Sequence, residues 1–141
     1  MAWLRIWLAV ALLAGWGAAP IEVRAQNPFE PALTVNNSVI TRYDIEQRMA
    51  LLDALGARGD LREQATDQLT EDRLKVQAAK ALEIELPEGA VYAGIEEFAQ
   101  QRGLTVDQVF QALSARKIDT QTMDDFVESG LMWREVVGAR F

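Results

Sequence analysis

"VNNSVITRYDIEQR", residues 35–48, joins a tight turn to a helix entry, and its reading decides the fold. Asn36 and Asn37 stand between two short runs, "ALTV" and "SVIT". Asparagine tolerates positive φ better than most residues, so the pair predicts a two-residue type I′ hairpin. Two short strands alone are marginal in water, so the hairpin has to lie on another part of the chain. Thr41 and Asp44 then form a capping box, with aspartate in place of the usual glutamate. The hydroxyl accepts from an orphan amide of the first turn and the carboxylate reaches back to the cap. Ile45, Met49 and Leu52 follow at helical spacing, and Gly56 stands where a left-handed residue ends a helix.

Everything beyond reads as helix. Asp60 and Glu63 open a second helix in the same capping manner, and it runs to about Leu82. Leu61, Ala65, Leu69 and Val76 share a face, but Asp72 interrupts it and Leu74 points the other way. Thr66, Thr70 and Arg73 make this helix more polar than a core helix should be. "IELPEG", residues 84–89, breaks the chain, and Pro87 suits a first helical turn. Val91, Ile95 and Phe98 make the next stripe, closed by Gly103. Thr105 and Gln108 form a further capping box ahead of Val106, Val109, Phe110 and Leu113. After "ARKID", Asp119 or Thr120 caps a last helix whose broad face carries Met123, Phe126, Val127, Gly130, Trp133 and Val137. The fold class is therefore mainly α: a short N-terminal β-hairpin followed by about five helices.

Met132 and Val136 project away from that broad face, so the final turns are apolar nearly all round. Either both sides of the helix are covered, or the helix begins something further. The second reading is the expectation, with the chain as the front module of a longer protein.

The chain has 141 residues, half of them hydrophobic, with a net charge of −7, enough for one small domain. Its start is a separate matter. Arg5 precedes an apolar run over residues 6–19, and small residues Val23 and Ala25 follow. The run is shorter than the roughly 20 residues a spanning helix needs. Residues 1–25 therefore read as a secretory signal peptide cut after Ala25, residues 26–31 as an extended lead-in with Pro28 and Pro31, and residues 32–141 as the domain. An uncleaved anchor is the competing reading, disfavoured by length, and cleavage after Ala19 is disfavoured by Pro20. Removing the leader takes Arg5, Glu22 and Arg24, leaving 12 of 14 basic and 20 of 21 acidic residues and a net charge of −8. That balance argues against nucleic acid or anionic lipid as the partner.

No cysteine and no histidine occur, which removes disulfide scaffolds, Ser-His-Asp and Cys-His nucleophilic systems and the usual zinc ligand sets. No glycine-rich phosphate loop is present. The adjacent carboxylates Glu71-Asp72, Glu96-Glu97 and Asp124-Asp125 diverge by about 100° on a helix and read as solvated faces rather than as a shared proton or metal site. Neither a catalytic group, a metal nor a cofactor is expected.

Three stretches, in this order, carry a resemblance: "VNNSVITRYDIEQR", "EFAQQRGLTVDQVFQAL" and "KIDTQTMDDFVESGLMWREVVGARF". Together they resemble the N-terminal domain of the SurA-type periplasmic chaperones, from about residue 32 to residue 141. The resemblance implies a trigger-factor-like helical module that binds unfolded outer-membrane proteins without ATP. Members usually continue into parvulin-type prolyl isomerase domains and a C-terminal segment that returns to pair with this module. None of those parts follows in the 141 residues, so the chain is expected to bind rather than to catalyse. Alternatives are the non-catalytic portion of a parvulin-type prolyl isomerase and a secreted helical docking or structural domain.

A binder of many sequences needs adaptable apolar surface, and methionine suits it. The client-binding candidates are Ile45, Met49, Met123, Phe126, Val127, Met132, Trp133 and Val136. The competing reading makes most of them ordinary core, with Met132 and Val136, off the main stripe, best placed to stay open.

Overall fold

A computed structural model describes residues 27–141, and the leader and its cleavage site lie outside the described residues. The element order is β1 (Pro31–Val35), β2 (Ser38–Thr41), α1 (Arg42–Ala54), α2 (Leu61–Ala81), α3 (Ala90–Gln100), α4 (Val106–Ala115) and α5 (Thr120–Arg140). The strands pair antiparallel, with Val35 opposite Ser38 across the turn and an irregularity between Pro31 and Leu33. Only Asn36 of the two turn residues has positive φ, at 53°. A type I′ turn needs it at both, so that expectation is corrected.

What the hairpin lies on is α2. The Gln77 amide donates to the Val35 carbonyl and to Ser38 Oγ, both at 3.1 Å, and accepts from Asn36 Nδ2 at 2.6 Å. One side chain thus clamps both ends of the turn to the helix. Beneath it Val35, Ile40, Ile45, Leu52, Ala65 and Leu69 form an apolar cluster joining the hairpin, α1 and α2, with Ile40 fully buried.

The local signals explain the helix starts. The capping boxes at Thr41–Asp44 and Thr105–Gln108 are both complete. Asp60 accepts from the amides of Arg62 and Glu63, while the reciprocal bond from the Glu63 side chain is not made. Gly56 ends α1 at φ 82°. Pro87 falls in the turn ahead of α3, which begins only at Ala90 behind Gly89. That corrects the placement of the proline in the first helical turn: Gly89, at φ 78°, reverses the chain between them. Asp119 occupies the cap position of α5 but caps nothing, because its carboxylate accepts the Tyr43 hydroxyl instead. Its backbone amide donates to Gln47, whose own amide donates to the Lys117 carbonyl, so α1 pins the turn into α5.

A second cluster, with Leu51, Ile95, Ala99, Val109, Leu113, Ile118 and Met123 at its centre, joins α1, α3, α4 and α5. A third, smaller one packs Ala79 of α2 against Met132 and Val136 of α5, under Leu82, Ile84 and Leu86. Helix α5 is the long member common to the last two, and it carries the surface of interest.

Candidate functional site

At the centre of the molecule three helices meet on a charge. Arg48 of α1 is only 2% exposed. Its Nη2 donates to Asp72 Oδ2 of α2 at 2.8 Å and its Nη1 to Gln68 Oε1 at 3.4 Å, while the guanidinium sits 5.3 Å from the centre of the Phe126 ring of α5. Asp72 interrupts the apolar face of α2 because it answers this arginine. Burying the pair takes two charges out of water, and their bond offsets that cost only while both partners are present. Neither residue stood out as a pair in the sequence, although a carboxylate in the middle of an apolar stripe is the kind of conflict that asks for a buried partner.

Phe126 also lines a cleft between α2, α3 and α5, of about 360 Å³. Its apolar lining comes from Phe98, Phe126, Val127 and Leu131, and its charged rim from Asp72, Lys75, Glu97 and Arg134. The shape of this cleft follows from Gly94. A Cβ at that position would sit 2.6 Å from Val127 Cγ1 and 3.2 Å from Leu131 Cδ1, so a larger residue would force the Val127 side chain to shift. Gly130 faces open space on the same side. Phe98 is stacked under Arg102, whose guanidinium carbon is 3.6 Å from the ring centre. Sequence reading placed Phe98 on a stripe but passed over Gly94 and Leu131. A glycine within a helical run was the available signal of close approach.

The eight candidates divide sharply. Ile45 and Met123 are core residues, and Met49 packs half-buried on the hairpin cluster. Phe126 and Val127 are half-buried and line the cleft. Met132 and Val136 are 8% and 6% exposed, which corrects the expectation that they stay open. Their side of α5 meets the C-terminal end of α2 and the loop after it, so the off-stripe direction is the covered one. Trp133 and Val137 point elsewhere and remain 44% and 39% exposed. With Phe141, one further turn along, they make an uncovered apolar row at i, i+4 and i+8. Among the described residues no helix is long and apolar enough to cross a membrane.

Two ionisable groups are perturbed. The Tyr43 hydroxyl is held above its usual value, first by its bond to Asp119 and then by loss of water and the neighbouring carboxylates. Asp124 is raised above the usual carboxylate range, mainly by burial and then by the charge of Asp125.

Comparison with known proteins gives one consistent result. No protein-family model matches the chain, and no solved structure matches it. Among curated proteins, the Chaperone SurA of Photorhabdus laumondii subsp. laumondii is 30% identical over 113 residues, 74% of this chain. Those of Burkholderia orbicola and Burkholderia lata are 29% and 28% identical over 116 and 135 residues, 77% and 88% of this chain. The chain spans only 26–30% of the length of these relatives.

Proposed function

We propose that this SurA-like N-terminal region is an ATP-independent chaperone module that binds unfolded outer-membrane proteins in the periplasm through the open apolar side of α5. The leader over residues 1–25, cut after Ala25, would deliver it there, with residues 32–141 as the binding domain. The observation that carries the reading is the asymmetry of the last turns of α5. Both sides of that helix are apolar, yet only the side bearing Met132 and Val136 is covered. Trp133 and Val137 offer an aromatic ring and an aliphatic side chain to the solvent beside a cleft lined by Phe98, Phe126 and Leu131. Such a surface accepts apolar side chains of varied shape without reading a sequence, and the net charge of −8 left once the leader is removed keeps copies of the protein apart while it stays open. Ordering an unfolded segment opposes binding, so the affinity for any one segment is modest and many segments qualify.

The test is light scattering from a chemically unfolded outer-membrane β-barrel protein diluted into buffer, with and without a molar excess of the purified chain. The expected result is a scattering signal suppressed in proportion to added chain, with no nucleotide present. Scattering unchanged at tenfold excess of a chain shown by circular dichroism to be folded would overturn the proposal.

A further inference from the structure

On the other side of the α3–α5 seam lies a second groove, about 540 Å³, between α3, α4 and α5. Its apolar lining is Val91, Ile95 and Phe110, with Tyr92 at one edge, 57% exposed. Its charged groups are Asp124 and Glu128, and no lysine or arginine lines it. The two carboxylates stand one turn apart on α5, about 6 Å along the axis. Like charges at that spacing repel. Neither has a hydrogen-bond or ion-pair partner among the described residues, whereas the neighbouring Asp125 accepts from Gln121 at 2.7 Å. The cleft on the α2 side differs in this respect: Lys75 and Arg134 balance Asp72 and Glu97 on its rim.

From this contrast we infer that the α3–α4–α5 groove is a separate docking site for polypeptide segments in which arginine or lysine neighbours an apolar side chain. The apolar residue lies on Val91, Ile95 and Phe110, and the cation takes the place between Asp124 and Glu128. A guanidinium suits that place, since its planar donors reach two carboxylates at once. The complementarity is electrostatic at the rim and apolar on the floor, so it selects segments by charge as well as by hydrophobicity. This inference rests on the reading of the chain as a polypeptide binder, and it adds which segments are preferred and where they lie. The raised Asp124 carboxyl is consistent with a group that lacks a cation while the groove is empty.

The test uses two labelled ten-residue peptides and fluorescence anisotropy on the full chain. One peptide carries two Leu–Arg pairs in a Gly/Ser background, and its twin has glutamate in place of each arginine. The arginine peptide is expected to bind at least tenfold more tightly than the twin, and less tightly as salt is raised. The variant Asp124→Asn/Glu128→Gln is expected to weaken that binding at least fivefold. The variant Asp67→Asn/Glu71→Gln, which removes the same charge from the outer face of α2, is expected to leave it unchanged. Equal binding of the two peptides overturns the inference, and so does equal weakening by the two variants, which would reduce the effect to net charge. Either result with aggregation suppression intact removes this groove and leaves the chaperone reading standing.

Discussion

The centre of this molecule buries a charge while its end leaves a tryptophan in water. Arg48 is 2% exposed and Trp133 is 44% exposed, the reverse of what residue type alone would assign. The two inversions differ in kind. Around Arg48 the neighbours answer it: Asp72 and Gln68 accept its hydrogen bonds, and Phe126 offers a ring face. Only its Nε lacks a partner among the described residues. Trp133 belongs to none of the three apolar clusters, and close to half of it stays in water. A buried polar group that is paired belongs to the architecture, whereas exposed apolar residues grouped on one helix side are the kind of surface that marks interaction sites.

That contrast can be broken most forcefully at the centre. Asp72→Ala strands Arg48 in a site it cannot leave, and unfolding in urea should show a loss of about 3–5 kcal/mol. The double change Arg48→Met/Asp72→Leu should recover most of it, because an apolar pair of similar volume needs no partner. If the single and double variants lose the same amount, the pair is not the unit described here. On the covered side of α5, Met132→Ala should cost about 2–5 kcal/mol by leaving a cavity against Ala79. A cost near zero would mean that this side is as open as the other.

Between the two regions, Gly94→Ala sharpens the comparison. Its new methyl would press on Val127, a side chain with little rotamer freedom in a helix, for about 1–3 kcal/mol. Thermal unfolding unaffected by this change would show that α3 and α5 can separate freely. At the open end, Trp133→Ala should alter stability by no more than about 0.5 kcal/mol. A loss several times larger would place the indole in the core.

The smallest effect concerns the clamp between α1 and α5. Tyr43 and Tyr92 are the only tyrosines, so in a Tyr92→Phe variant the ultraviolet titration reports Tyr43 alone. Its midpoint should lie above 10.0, the ordinary value for a tyrosine hydroxyl. Because the folded value is raised, the stabilisation from the bond to Asp119 is present at neutral pH and lost as pH rises through the Tyr43 transition. A midpoint at or below 10.0 would show that the bond does not form.

Much of the fold was legible because its signals are local. The strands, the helix order, the capping boxes at Thr41–Asp44 and Thr105–Gln108 and Gly56 follow from residues within four positions of each other. What was not legible depends on partners far along the chain. Asp72 looked like a defect in α2 because Arg48 is 24 residues away, and Gln77 gave no hint that it holds the hairpin. Asp119 or Thr120 was expected to cap α5; Asp119 holds the position, but a tyrosine 76 residues earlier takes its carboxylate. The stripe on α5 was read correctly as a helix and wrongly as to its faces. Periodicity reports that Met132 and Trp133 point in different directions, but not on which side α2 will lie. For the candidate site the same limit applies: Phe126, Val127 and Trp133 were named, while Leu131 and the glycine that shapes the cleft were not.

The central claim is that the uncovered row on α5, and not the fold as a whole, holds unfolded protein. It is tested most directly by comparing wild-type chain with Trp133→Ala/Val137→Ala in the light-scattering assay, after urea unfolding has shown how stable each is. The account predicts a variant within about 1 kcal/mol of wild-type stability that needs several times more protein to suppress aggregation of the unfolded barrel. A stably folded variant that suppresses as well as wild type would contradict it.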